Sequence, residues 1–179
     1  MHSDDIQAGD NIETNISSWD FGGKTPISFD KHISKSVPGY KTGQLLVASY
    51  CDFFMNLTPK LVYDIGCSTG SLLELIEARH PSKELNYIGI DIVPEMVKVA
   101  KNRKFINPNR FDFLCTDALE FDFLESSIIT SYYSLQFILP SVRQNLVNKI
   151  YDSLTWGGAF FVFEKTRAPD GRFQDMNTH

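Results

Sequence analysis

Short apolar runs alternate with amphipathic stretches along the chain from residue 61 onward. Apolar runs of four to eight residues are typical of buried strands, and apolar positions spaced three or four apart predict helices. The pattern therefore predicts five strands, with helices after the first, the second and the fourth. The predicted strands are 61–65, 87–91, 111–115, 128–133 and 159–164.

The helices of this pattern have recognisable ends. Ser71 and Glu74 have the spacing of a capping box at the start of the first helix. The third helix begins after Pro140, and Gly157 with Gly158 is predicted to end it. Two more helices are predicted before the sheet, over residues 29–40 and 45–54.

Strands separated by helices predict an α/β fold. Such a chain forms a mostly parallel sheet with right-handed crossovers and helices on both faces. Ligands of these sheets bind beyond the carboxyl ends of the strands, where the strand order reverses. The residues that follow the strands are therefore the candidates for a functional site.

The loop after the first predicted strand has the sequence DIGCSTG, from Asp64 to Gly70. Gly66 permits a tight turn, and Gly70 lets the next helix begin close to the sheet, with its N–H groups facing the ligand. A dinucleotide fingerprint needs a glycine between them, where this chain has Ser68, so a diphosphate would be crowded. Asp91 ends the second strand, where an acid accepts the hydroxyl groups of a ribose. The loop therefore predicts a nucleoside without a pyrophosphate.

Asp117 and Ala118, which follow the third predicted strand, suit the base of such a nucleoside. The carboxylate of Asp117 can accept an exocyclic amine such as that of adenine, and Ala118 offers a backbone N–H to a ring nitrogen. Taken singly, Asp64, Asp91 and Asp117 each suit a cap or a turn as well. Because they follow three strands of one predicted sheet, we interpret them together as an adenosine pocket.

Three segments, VYDIGCSTGSLLELI, YIGIDIVPEMV and FLCTDALEF, resemble motifs I, post-I and II of class I S-adenosyl-L-methionine (SAM) dependent methyltransferases. Within that superfamily, SFDKHISKSVPGY and SLQFILPSVRQNLVNKIYDSLTWGGAFFVFEK resemble the carboxy-S-adenosyl-L-methionine synthase branch and its methyltransferase relatives. The resemblance implies a Rossmann-like class I methyltransferase fold, with SAM as cofactor and S-adenosylhomocysteine as product. It also implies that Tyr40 covers the methionine end of SAM. The implied cofactor-binding residues are Tyr40, Asp64, Gly66, Cys67, Ser68, Gly70, Asp91, Ile92, Asp117 and Ala118.

The chain departs from the synthases in two ways. The synthases have an asparagine where Tyr132 stands, and they continue to a downstream arginine for which this chain has no counterpart. Methyl transfer to an unidentified acceptor is therefore the leading hypothesis. One alternative is a carboxy-SAM synthase that acts in tRNA wobble-uridine modification, and another is a catalytically silent SAM-binding protein that acts through a partner. Candidate substrate residues are Tyr132, Tyr133 and Gln136, which follow the fourth strand, and no catalytic base is assigned.

Composition argues against a membrane-spanning, exported or metal-stabilised protein. The longest apolar run has five residues, 159–163, and no signal peptide is recognisable, so we expect a cytoplasmic protein without a membrane span. The three cysteines lack the spacing of a metal site, so no structural metal is expected. The basic stretch from Lys98 to Arg110 suits a solvated helix end or a contact to RNA. The acceptor can accordingly be a small molecule or an RNA.

The charge pattern divides the chain. Residues 1–23 contain five acidic residues and no lysine or arginine, and residues 1–18 are predicted to be a flexible acidic arm. Residues 19–179 are predicted to form a single SAM-binding domain, with a helical lid region over 19–55 and a core sheet over 61–164. Of seven strands in a complete class I sheet, the last two are expected to be absent. The apolar edge at 159–164 then indicates a shortened form of a longer protein, or a homodimer.

Overall fold

The computed structural model describes residues 14–15, 18–19 and 25–165 of the 179-residue chain. A short antiparallel pair, β1 and β2, precedes two helices, and strands then alternate with helices up to the last strand. The elements are β1 (Thr14–Asn15), β2 (Ser18–Trp19), α1 (Thr25–Ser36), α2 (Tyr40–Tyr50), β3 (Leu61–Ile65), α3 (Ser71–Arg79), β4 (Asn86–Asp91), α4 (Pro94–Lys101), β5 (Phe111–Cys115), β6 (Ser126–Tyr132), α5 (Pro140–Ser153) and β7 (Leu154–Phe163).

The main sheet has five parallel strands in the order β5-β4-β3-β6-β7. In its register Asp64 of β3 lies between Gly89 of β4 and Thr130 of β6. The strand order reverses between β3 and β6, so the crevice of a doubly wound sheet lies at their carboxyl ends. The predicted parallel α/β sheet is confirmed.

Each face of the sheet has its own hydrophobic core. On one face Val62 packs with residues of α2, α3 and α4, among them Leu73. On the other face Tyr63 packs with Ile150 of α5. Because successive side chains of a strand point to opposite faces, the run from Val62 to Ile65 supplies both cores and is buried throughout. Helices therefore cover both faces, as predicted.

The helices before the sheet differ in position from the prediction. The first ends at Ser36, and Tyr40 begins the second rather than ending the first, because Gly39 adopts a φ of 73° and caps α2. The capping box at Ser71 is also wrong. The residue that caps α3 is Gly70, and Glu74 instead bonds the Arg103 guanidinium.

The last strand begins five residues earlier than predicted. Helix α5 ends at Ser153, and Leu154 continues directly as β7, so the glycine pair lies inside the strand instead of ending the helix. Gly157 has a φ of 80°, and the register shifts between the pairs Ser126–Leu154 and Ile128–Ala159. The extra residues therefore form an irregularity that the glycines make possible. Strand β7 is the edge of the sheet, and the predicted homodimer through it stays a prediction.

The acidic arm predicted over residues 1–18 lies outside the described residues, apart from β1 and the first residue of β2. Within the part of the chain that is described, no helix is long and apolar enough to cross a membrane.

Candidate functional site

A cleft of about 670 Å³ opens at the carboxyl ends of the strands, beneath α1 and the start of α2. Most of the residues predicted for the site line it, although they come from five separate segments of the chain. Those that line it are Tyr40, Gly66, Cys67, Ser68, Asp91, Ile92, Asp117, Ala118, Tyr132, Tyr133 and Gln136. Asp64 and Gly70 do not line it.

The loop after β3 is held tightly against its neighbours. Gly66 has a φ of 70°, and a Cβ there would overlap the side chain of Ser134. The Ser134 hydroxyl donates a hydrogen bond of 2.5 Å to the carbonyl of Ile65. The N–H groups of Gly66 and Cys67 both bond the carbonyl of Ile90 in β4. Only glycine satisfies both the conformation and the space at position 66.

The carboxylate of Asp91 is fixed by the backbone on both sides. One oxygen accepts the N–H of Ser68 at 2.8 Å and the other accepts the N–H of Val93 at 2.9 Å. Ser68 lies in the left-handed region, with a φ of 51°, which is unusual for a residue other than glycine. Burial raises the pKa of Asp91, and these backbone hydrogen bonds oppose that rise. Each oxygen keeps a lone pair for a ligand hydroxyl.

The loop after β5, next to Asp91, presents groups that suit a nucleobase. One oxygen of Asp117 accepts the N–H of Leu119 at 2.9 Å, so the other oxygen is available to an amine. The Ala118 N–H has no backbone acceptor among the described residues. Ile92 lines the cleft as well, with 65% of its surface exposed. These residues offer a carboxylate, an N–H donor and an apolar surface to one planar ligand.

Asp64 and Gly70 lie behind the cleft and position its wall. Asp64 is 2% exposed, and one of its oxygens accepts the Thr130 hydroxyl at 2.6 Å. Burial raises the pKa of Asp64 to about 7, the Thr130 hydrogen bond opposes this, and the charge of Asp91 adds to it. Gly70 begins α3 so close to the sheet that a Cβ would lie 3.1 Å from the ring of Phe113. The close approach expected of Gly70 is confirmed.

Three tyrosines form the wall between the loop after β3 and the end of β6. The ring of Tyr132 lies edge-on to those of Tyr40 and Tyr133, with centroids 5.0 Å apart in both pairs. The Tyr132 hydroxyl donates a 2.5 Å hydrogen bond to the carbonyl of Tyr40. This bond ties the first residue of α2 to the last residue of β6. Burial raises the pKa of Tyr132 to about 12 and raises that of Tyr40 as well.

Part of the lining was not identified from the sequence. The helix α1 contributes Ile33, and the segment from the end of β6 into α5 contributes Leu139 and Val142. Lys165 lines the cleft just after β7. The spacing of Phe29, Ile33 and Val37, four residues apart, is the signal of one helical face that could have indicated the α1 wall.

A polar cluster holds α1 over the cleft. Asp30 accepts the Thr69 hydroxyl at 2.5 Å and also pairs with Arg103. The Arg103 guanidinium further bonds Glu74 at 2.5 Å and the Thr69 carbonyl at 2.7 Å. Arg103 therefore belongs to this cluster rather than to a basic surface. His32 of α1 is exposed and does not line the cleft.

We predict that α1 is a lid whose opening this cluster restrains. Replacing Arg103 with methionine leaves two carboxylates without their cation, so amide hydrogen exchange over residues 29–40 should quicken about tenfold or more. Lys104→Met, an exposed neighbour, is the control. In the unmodified protein, S-adenosylhomocysteine should slow exchange over the same residues. Equal protection with and without it would contradict the lid.

The chain belongs to a family of methyltransferase domains, whose model matches residues 62–158. Among curated proteins it is similar to the carboxy-S-adenosyl-L-methionine synthase of Helicobacter hepaticus, with 38% identity over 82% of this chain and 62% of that protein. It is also similar to the synthase of the same name from Wolinella succinogenes, with 41% identity over 79% of this chain and 59% of that protein. The chain thus spans about three fifths of the length of these relatives.

Solved structures confirm the fold. CalS10, an amino pentose methyltransferase from Micromonospora echinaspora with SAM bound, superposes with a TM-score of 0.62 at 17% identity, over 79% of this chain and 57% of that one. The plantazolicin methyltransferase BpumL, in complex with SAH, gives a TM-score of 0.57 at 20% identity, over 74% of this chain and 49% of that one. The predicted Rossmann-like methyltransferase fold and the resemblance to the class I family are both confirmed.

Proposed function

We propose that this protein binds SAM in the cleft and transfers its methyl group to an acceptor held between α1, α5 and the end of β7. The observation that carries the proposal is the pair Asp91 and Asp117. Asp91 ends β4, Asp117 follows the neighbouring strand β5 by two residues, and both line the cleft together with the exposed Ile92. This arrangement suits the ribose and the adenine of one adenosine.

The residues present fit SAM better than a dinucleotide. Asp91 is held rigidly by two backbone N–H groups and is therefore already oriented toward ribose hydroxyls. Ser68, which also lines the cleft, places a side chain where a pyrophosphate would have to touch backbone. Tyr40 lines the cleft at the start of α2 and is proposed to cover the methionine end.

The proposed mechanism relies on positioning rather than on proton transfer. When bound, SAM supplies an activated methyl group: the acceptor's lone pair forms the new bond to carbon as the carbon–sulfur bond breaks and its electrons stay on sulfur. Because the pKa values of Tyr40 and Tyr132 are raised, both phenols are protonated at neutral pH and neither can act as a base. Holding the reactants in line can supply roughly 7–11 kcal/mol of the barrier. Tyr133 and Gln136 are the proposed residues that orient the acceptor.

A second candidate is formation of carboxy-SAM, because the curated relatives at 38% and 41% identity bear the name of that synthase. In this reaction the methyl carbon of SAM would lose a proton and gain a carboxyl group from a co-substrate that gives one up, instead of being transferred. Native mass spectrometry of the purified protein separates the two candidates. Methyl transfer predicts SAM or S-adenosylhomocysteine as the ligand that co-purifies, whereas the synthase predicts a carboxylated SAM.

Calorimetry tests the proposed ligand directly. We expect SAM and S-adenosylhomocysteine to bind with micromolar dissociation constants and NAD not to bind, because the diphosphate of NAD meets Ser68. Adenosine alone should bind more weakly than S-adenosylhomocysteine, since it lacks the portion that reaches Tyr40. Binding of NAD as tight as that of SAM would contradict the proposal.

A further inference from the structure

Lys165 is the one positively charged side chain in the lining of the cleft within the described residues. The other charged groups of the lining are the carboxylates of Asp91 and Asp117. Lys165 forms no ion pair with any residue in the described ranges. A cation that faces a cleft without a counter-charge is suited to binding an anionic ligand.

The two residues just before Lys165 are anchored, and Lys165 itself is exposed where it lines the cleft. The carbonyl of Phe163 accepts the N–H of Tyr133 at 2.7 Å. The carboxylate of Glu164 accepts the N–H of Leu135 at 2.6 Å. These two bonds fasten the end of β7 to the segment that follows β6, which contributes Tyr133 and Gln136 to the cleft.

The sheet order separates Lys165 from the adenosine end. Asp117 follows β5, at one edge of the sheet, and Lys165 follows β7, at the other edge. Neighbouring strands lie about 4.8 Å apart, so four strand intervals place these positions roughly 19 Å apart across the sheet. A nucleoside bound at the ends of β4 and β5 therefore does not extend to Lys165, which is available to a group of the other substrate.

The lining of the cleft to which Lys165 contributes is mostly apolar. It includes Ile33 of α1, Val37 just after α1, Leu139 just before α5 and Val142 in the first turn of α5. A nucleic acid presents many phosphates and binds through several lysines or arginines. One lysine beside an apolar wall suits a small molecule with a single anionic group and an apolar body.

We propose that Lys165 selects an acceptor of this class, an apolar organic molecule that bears one carboxylate or phosphate, and that the amine of Lys165 binds its anionic group. The inference rests on the proposed function, because that function identifies SAM as the other ligand of the cleft. It goes beyond that function by naming the chemical class of the acceptor and the residue that recognises it.

A pair of fluorescent probes isolates the charge. We would compare 1-anilinonaphthalene-8-sulfonate with N-phenyl-1-naphthylamine, which has the same rings without the anionic group. Lys165→Met should weaken binding of the sulfonate at least about tenfold and leave binding of the neutral probe within about twofold, because one charge-assisted contact is lost. Lys165→Arg should preserve sulfonate binding. Lys60→Met is the matched control, since Lys60 is exposed at the amino end of β3, away from the cleft.

We would then displace the sulfonate probe with 1-naphthoate and with 1-naphthyl phosphate. The compound that displaces the probe at the lower concentration identifies the anionic group that Lys165 prefers. Displacement by neither would overturn the inference. Equal sulfonate binding in Lys165→Met and the unmodified protein, or an equal loss for both probes, would also overturn it. A tenfold loss of S-adenosylhomocysteine affinity in Lys165→Met would assign the lysine to the cofactor instead. Binding of S-adenosylhomocysteine is measured separately by calorimetry. If S-adenosylhomocysteine does not bind, the proposed function is contradicted, and the comparison of the two probes still tests Lys165.

Discussion

Replacing Asp91 with alanine should weaken the binding of S-adenosylhomocysteine tenfold to a hundredfold. The interaction proposed to be lost is a charge-assisted hydrogen bond to the ribose, and such a bond contributes about 1.5–3 kcal/mol. The substitution also removes the acceptor of the Ser68 N–H, which lies 2.8 Å from the Asp91 carboxylate, so the loop after β3 loses one of the hydrogen bonds that fix it. Calorimetry on the purified variant measures the effect.

Two further variants make this result specific. Asp112→Ala removes an exposed carboxylate from the neighbouring strand β5, outside the cleft, and should bind like the unmodified protein. Asp91→Asn keeps an oxygen that can accept one of the two backbone N–H groups, so it should bind more tightly than Asp91→Ala. If Asp91→Ala binds S-adenosylhomocysteine within about twofold of the unmodified protein, the assignment of Asp91 to the ribose is wrong.

The first three strands of the sheet were predictable from sequence because each is a short, mostly apolar run. The fourth was predicted over 128–133 and lies at Ser126–Tyr132, because its first two residues are serines. The first and third match the prediction at both ends, and Asp91 ends the second as expected. The last strand was predicted too short, because Gly157 and Gly158 are read locally as the end of a helix. Pairing with β6 overrides that local preference and extends the strand across the glycines.

The site was predictable where it depends on strand ends and not where it depends on tertiary packing. Ser68 and Asp117 lie directly in the loops that leave the strands, so topology alone brings them together. The α1 wall depends on the contact of Asp30 with Arg103, residues 73 positions apart in the chain. Likewise Lys165 reaches the cleft through bonds between the end of β7 and the segment after β6. No local pattern encodes such contacts.

The buried carboxylate of Asp64 should make the stability of this protein depend on pH, and Asp64→Asn should remove that dependence. The pKa of Asp64 is about 7 in the folded protein and about 3.9 in an unfolded chain. Between these values the folded state holds a proton that the unfolded state has lost, so stability falls as the pH rises from 4 to 7. Asparagine stays uncharged at every pH and can still accept the Thr130 hydroxyl.

The two proteins should therefore have similar stability near pH 4 and differ most near pH 8. At pH 8 Asp64→Asn should be more stable by several kcal/mol, with about 4 kcal/mol as the full effect of a shift from 3.9 to 7 at 1.36 kcal/mol per pKa unit. Urea unfolding without ligand, at intervals from pH 4 to pH 8, measures the difference. Glu164 also has a raised pKa, but it is present in both proteins and cancels in the comparison. The charge of Asp91 contributes to the raised pKa of Asp64, so its effect on Asp64 is part of the difference that is measured. If the free energies of unfolding of the two proteins change in parallel from pH 4 to pH 8, Asp64 is ionised in the folded protein. Its surroundings behind the loop after β3 are then more polar than its burial indicates.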